Sequence, residues 1–511
     1  MNLWQERLPL PSRDPDPSMW VDEAIWGHRL WDGQSPWLVF LEFLNVFFHE
    51  DSNGSAFTER KGFNTLCYQP YKRLYLRNIL FNNPKLNEIL HNYPNDNDRW
   101  KIWFEEMRSA QGINNPNFGY LNNHFHTFED FCHVVSIVRS TRLEMNSNKQ
   151  WTSQFVFPYG EDCLYEDLDK KANTNDRNVF GRTGELIYLM LCRSNFKEEL
   201  LEKLKAKVQQ QDNFWNKIVK SLQPDESNSP RAERANAFLP YKNHSCFDDL
   251  AEDMLSILNL DMPGFDALPH LVNLIGLNII KYQLKVSLQL LSCDEPLKIT
   301  CEIIAPRKTL VREISCDQYQ TNNLLPQQAV DHFISRIESS NEWQQARVGE
   351  GAFVKCRELL KQEVLWPRSE KDYEGPSDPD RLLEEFRSAV IRRHSQHVAN
   401  IHRVYGREIG LISKRGTIQL RYAPNDNLLK TLVFSSVPKR MELNQFLDRL
   451  AKRYGLIFGD RQAEELLDKS EFDKKAFQAN SRRLEQLLHS LGLLRRLSDG
   501  CAYIINPYYA R

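Results

Sequence analysis

The sequence predicts a mainly α-helical protein with small β hairpins, an α+β arrangement spread over several domains. Apolar residues recur at helical spacing through most of the 511-residue chain, as in WLVFLEFLNVFF at residues 37–48. β-rich runs are few and short. Two stretches, QPDESNSPRAERAN (residues 223–236) and PRSEKDYEGPSDPD (residues 367–380), combine proline, serine and charge with no apolar period, and read as exposed linkers.

These two linkers, with a further boundary at 440/441, divide the chain into four expected parts. Residues 1–225 form a helical, aromatic-rich N-terminal domain, with further apolar helical stretches in YKRLYLRNILF (residues 71–81), at 128–138 and at 184–191. TSQFVFPYG (residues 152–160) reads as a short strand or extended loop, and ANTNDRNVFGRTGE (residues 172–185) as a turn-rich lead into a helix. Residues 237–366 form a middle α+β domain. There DDLAEDMLSILNL and the long apolar HLVNLIGLNIIKYQLKVSLQLL predict two helices, KITCEII and TLVREIS predict a hairpin, and residues 326–337 predict a closing helix. Residues 380–440 carry a basic helix and a hairpin, and residues 441–511 a compact module of helices ending in a hairpin.

Composition narrows the class of protein. With 26% charged and 41% hydrophobic residues the chain suits a folded globular protein, and its length suffices for several self-supporting cores. The net charge of -2 leaves local charge to decide whether an anionic partner is plausible. Ten scattered cysteines contain no C-x-x-C pair, and the N-terminus shows no basic segment followed by an apolar run. A cytoplasmic location without a membrane association is expected.

The last module has a specific order. Leu443, Phe446, Leu447 and Leu450 predict a first helix stopped by Gly455. A short helix over 461–467 and a long one over 473–491 follow, and LLRRLSDGCAYIINP then alternates around Asp499-Gly500 as a tight hairpin. The run NSRRLEQLLHSLGLLRRLSDGCAYI (residues 480–504) resembles the recognition helix and wing of winged helix-turn-helix domains. That resemblance implies a third helix entering the DNA major groove through Lys474, Lys475, Gln478, Arg482 and Arg483, with Arg495 and Arg496 on the wing. Winged helices also dock proteins, and the module's twelve Lys/Arg stand against ten Asp/Glu.

The window just upstream favours DNA. Residues 381–421 hold nine Lys/Arg against three Glu. Leu383, Phe386, Val390, Val398 or His397, and Ile401 predict a buried helix face, leaving Arg392, Arg393 and Arg403 toward an anionic partner, with Arg407 nearby. REIGLISKRGTIQLRYAP predicts a second hairpin with Lys414 and Arg415 at its tip. His394, His397 and His402 have no carboxylate at helical spacing, so packing or phosphate contact is their expected work.

Catalytic patterns are incomplete. His124, His126, Asp130 and His133 have metal-ligating chemistry and form the one weak metal candidate, although the same residues suit a surface loop entering a helix. Glu302 comes nearest to a nuclease carboxylate, but Ile304 stands where a lysine is needed. No phosphate loop, dinucleotide fingerprint or hydrolase elbow occurs, and the Phe180–Gly184 turn offers at most amides for one phosphate. Asp248, Asp249, Glu252 and Asp253 read as the solvated first turns of a helix.

EMNSNKQWTSQFVFPYGEDCLYEDL and NDRNVFGRTGELIYLMLCRS are similar to helical subunits of bacterial antiphage defence systems, including methylation-associated ones. The likeness implies a setting within a multiprotein complex. Together these readings lead to a non-enzymatic DNA-binding and assembly subunit with DNA and protein partners and no cofactor. Trp20, Trp26, Trp31 and Trp37 are candidate protein anchors or core residues. The alternatives are a docking scaffold without DNA contact and a metal-dependent nuclease.

Overall fold

The structure, a computed structural model, describes residues 7–10, 20–58, 73–83, 85–110, 112–140, 160, 162, 181–209, 213–225, 237–293, 295–306, 308–367, 370–414, 419–467, 472–498 and 501–509. Most of TSQFVFPYG, of the 172–185 turn and of the 223–236 linker lies outside the described residues, as do Arg415 and the Asp499-Gly500 turn. The architecture is mainly α with small strands, as the apolar periodicity predicts.

The N-terminal part contributes ten helices among the described residues: α1 (Trp20–Trp26), α2 (Pro36–Ser52), α3 (Leu74–Phe81), α4 (Leu86–Asn92), α5 (Asp96–Glu106), α6 (Leu121–His124), α7 (Phe128–Ser140), α8 (Thr183–Cys192), α9 (Lys197–Lys207) and α10 (Phe214–Ser221). Ser35 caps α2 by accepting from the Leu38 amide, and Pro36 occupies the first turn, where its missing N–H costs nothing. Residues 38–50 of α2 are all buried, so this helix lies inside the core rather than on it. Helices α3 to α7 and α10 instead share a separate core, in which Trp100 and Trp103 meet Phe128 and Phe131 with ring centroids 5.0–6.4 Å apart.

The middle of the chain begins with α11 (Ser245–Leu258) and α12 (Gly264–Leu290), both where their apolar periods predict them. α12 is buried along most of its length and contacts α2, α11, α13 and α17, the last two defined below. The predicted hairpin at KITCEII and TLVREIS does not form. Only β1 (Ile299–Thr300) is a strand, and TLVREIS opens α13 (Leu310–Ser339), a single helix that also absorbs the predicted 326–337 element with Pro326 inside it. Thr309 caps α13 by accepting from the Arg312 amide. Val311, Ile314, Ser315 and Tyr319 then fall on one buried face, so helical burial outweighs the β preference of Val and Ile.

The chain continues through α14 (Asn341–Ala346), α15 (Ala352–Val364), α16 (Pro379–Gln396) and α17 (Ile401–Glu408). An antiparallel hairpin follows, β2 (Ile412–Lys414) with β3 (Leu420–Tyr422), as predicted, and then α18 (Asp426–Ser436). The last unit runs β4 (Arg440–Glu442), α19 (Leu443–Tyr454), β5 (Leu456–Ile457), α20 (Asp460–Leu466), α21 (Lys474–Ser490), β6 (Leu494–Ser498) and β7 (Cys501–Ile505). β7 pairs with both β6 and β4, while β5 pairs in parallel with β1 from the middle of the chain.

One continuous cluster of buried residues runs from Trp20 through α12 to Ile504, crossing all the linkers read from the sequence. Asn480, fully buried on α21, ties this unit down. It donates to the carbonyls of Cys301 and Phe458, both at 3.0 Å, and accepts from the Ile303 amide at 2.8 Å.

Candidate nucleic-acid interface

The predicted buried face forms, but on two helices rather than one: Leu383, Phe386 and Val390 are buried on α16, which ends at Gln396, while Val398 is buried in the turn that follows and Ile401 at the start of α17. Arg392, Arg403 and Arg407 are exposed, Arg403 donating to Asn400 Oδ1 at 2.7 Å within its own turn. Arg393 departs from the prediction. Its guanidinium lies 5.1 Å from the Trp20 ring centroid and is half-buried there, a packing position rather than one facing solvent. Lys414 is exposed at the end of β2.

The three histidines of this window find partners that helical spacing could not reveal. His394 is buried, stacks on Trp26 and has Nδ1 2.7 Å from Asp22 Oδ1, 372 residues away in sequence. Both Trp31 Nε1 and Asp32 Oδ1 lie within hydrogen-bonding distance of His397 Nδ1, which can serve one of them at a time. His402 is fully buried against Tyr319 and bonds the Tyr422 hydroxyl at 2.9 Å. Burial pushes its imidazole down to about 3, which keeps it neutral. Phosphate contact is thus not the work of His394 or His402. Trp20 and Trp26 are likewise buried, which removes them as surface anchors for another protein, and Trp31 and Trp37 are half-buried.

On the last unit, Asp473 caps α21 by accepting from the Lys475 and Ala476 amides. Phe477, Asn480, Leu484 and Leu488 are buried, which turns Lys474, Lys475 and Arg482 to solvent. None of these three cations has a carboxylate partner among the described residues. Arg495 on β6 is exposed as well, and Arg496 pairs with Glu485 at 2.8 Å, neutralising the acidic residue in the middle of α21. Two predicted contacts point elsewhere. Gln478 donates to Asp460 Oδ2 at 3.0 Å, and Arg483 donates to the Ile303 carbonyl at 3.3 Å.

Most of the remaining chemical candidates are occupied by the fold. His124 Nδ1 sits 2.7 Å from the Ser221 carbonyl, and Asp130 accepts from the Thr127 hydroxyl at 2.8 Å in a helix-entry turn. His126 and His133 are exposed. No group of three potential metal ligands converges among the described residues. Glu302 is fully buried between Arg421 and Arg312, its oxygens taken by two guanidiniums rather than open to a metal. The amides of Arg182 and Gly184, which the turn before α8 offers to an anion, are held at 3.1 and 2.9 Å by the buried Glu42 carboxylate. A side chain of the protein takes the amides that the turn could have offered to a phosphate.

The acidic turn of α11 is only partly solvated. Asp253 is buried and accepts from Arg453, from the Tyr454 hydroxyl at 2.9 Å and from Asn278 at 2.7 Å. Asp249 lies 2.7 Å from Lys281 Nζ and 3.3 Å from Arg453. Burial opposes its ionisation, but Lys281, Arg453 and Lys285 together hold its carboxyl below the ordinary value. The sequence carried no local signal for this network, because its basic members come from α12 and α19.

Comparison with protein-family models, with curated proteins and with solved structures finds no match for this chain.

Proposed function

We propose that residues 440–509 form a winged-helix unit and that the protein is a non-enzymatic DNA-binding subunit of a larger assembly. The observation carrying this reading is the solvent face of α21. Lys474, Lys475 and Arg482 stand there unpaired among the described residues, beside Arg495 on the following hairpin, while Arg496 cancels Glu485. A helix face of this kind suits the phosphates and base edges of a major groove. Arg392, Arg403, Arg407 and Lys414 supply a second exposed group of cations for backbone contact. Binding is favoured over catalysis because Glu302, the nearest thing to a nuclease carboxylate, is locked between two arginines.

A second reading, in which the unit docks a protein, draws on Leu497, which is 67% exposed between Arg496 and Ser498. Fluorescence anisotropy of the full chain with a duplex DNA over a range of salt separates the two. The triple variant K474E/K475E/R482E is expected to weaken binding and to flatten the dependence of log K on log salt by about 2–3, at about 0.9 per phosphate contact. R392E/R403E/R407E is expected to act in the same direction. Undiminished affinity and an unchanged salt slope in both variants would remove DNA as the ligand.

A further inference from the structure

A cavity of about 350 Å³ opens between the C-terminal half of α13, α14, α15 and the N-terminal strip at Arg7. Its volume lies at the small end of the range that holds organic ligands. Phe333 and Trp343 form its buried wall, at 2% and 1% exposure, and Leu359 adds a half-buried apolar side.

Arg7 is fixed at this wall rather than waving in solvent. An antiparallel bridge joins it to Tyr241, the next residue's amide donates to the Pro240 carbonyl at 2.7 Å, and the guanidinium lies 4.8 Å from the Phe333 ring centroid. Its nearest carboxylate is Glu363 at 3.6 Å, a long contact to a side chain that is 55% exposed. Burial and the neighbouring Arg336 both work against the Arg7 charge, and Glu363 only partly offsets them.

Two donors of the residues that form this wall are left without a partner. Arg7 Nη1 and Trp343 Nε1 are buried and have no hydrogen-bond partner among the described residues. Each such group costs free energy until an acceptor reaches it. The acidic residues Glu342 and Glu363 stand at the solvent edge, where water screens them. We propose that this cavity binds a small organic anion, an aromatic or branched apolar body bearing one carboxylate or phosphate. The body packs on Phe333, Trp343 and Leu359, and the anionic oxygens accept from Arg7, with Arg336 at the mouth adding a second positive charge.

Isothermal titration of the full chain with phenylacetate and with phenyl phosphate tests the assignment, with inorganic phosphate as the control lacking the apolar body. One of the two aromatic anions is expected to bind saturably, and inorganic phosphate to bind more weakly. Arg7→Gln is expected to lower the affinity about tenfold or more. Leu359→Trp, which fills the cavity without removing an internal hydrogen bond, is expected to abolish binding while preserving the thermal transition. Those results also separate this cavity from the exposed cations of α21, which neither variant touches. The assignment is overturned by absence of binding at millimolar concentration, by inorganic phosphate binding as tightly as phenyl phosphate, or by an affinity indifferent to both substitutions.

Discussion

Gly184 shows how one residue can join two helices. A Cβ built there would lie 2.6 Å from the Glu42 Cβ and 2.6 Å from the Phe43 amide nitrogen, so α2 and α8 approach only because the side chain is missing. Gly184→Ala is expected to destabilise the protein by about 1–3 kcal/mol in urea denaturation, since backbone cannot give way as a side chain can. Three histidines drawn wholly or partly out of water set a pH dependence. Burial lowers His244 and His270 to about 4 and His402 to about 3. Unfolded imidazoles take up protons near pH 6.5, so the unfolded chain binds more protons below that value. Stability is therefore complete above about pH 6.5 and falls as pH drops toward about 4, each group contributing on the order of 3 kcal/mol. Thermal melts between these limits should show the decline. His402→Phe should make it shallower, because Tyr422 keeps Asn322 as a hydroxyl partner at 2.9 Å.

At the scale of elements, ionic and amide contacts link segments that are remote in sequence. Arg453 near the end of α19 meets Asp249, Glu252 and Asp253 of α11, and its own charge is favoured by them despite partial burial. Arg453→Ala leaves the Asp253 carboxylate buried with only Tyr454 and Asn278. A loss of about 3–5 kcal/mol is expected, as for other buried pairs broken from one side, and a chemical denaturation curve would read it. A loss within error would mean that the network relaxes into water. Helix α13 makes a related point. Its opening residues have strand-forming side chains, yet they are held helical by the Thr309 cap and by a buried face on one side. The strand it was expected to pair with, β1, instead takes β5 as its partner, with Ile299 opposite Leu456 far along the chain.

For the whole molecule, the buried cluster that spans Trp20 to Ile504 ties the C-terminal unit to the middle of the chain. Residues 441–511 expressed alone lose the β1 partner of β5, the Cys301 carbonyl and Ile303 amide that Asn480 binds, and the acids that Arg453 binds. The fragment is expected to show weak near-ultraviolet circular dichroism and a broad thermal transition, whereas a sharp, native-like melt would show that it folds unaided. Much of this architecture was legible in the sequence. Helices α2, α11, α12, α16, α19 and α21 lie where their apolar periods put them, and the hairpins β2–β3 and β6–β7 lie where short alternating runs did. Local periodicity suffices there because each element buries one face set by its own side chains. The exposure of Lys474, Lys475, Arg482, Arg392 and Arg403 follows from the same rule. What the sequence by itself determined is therefore the helical class, the order of elements and the placing of these cations on outward faces. Tertiary structure alone decided that Glu42 occupies the α8 amides, that Asp22 meets His394, that Arg393 rests on Trp20 and that Arg7 and Trp343 share a cavity. Those pairings join residues hundreds of positions apart in the chain, and a chain carries no local pattern for contacts that only packing brings together.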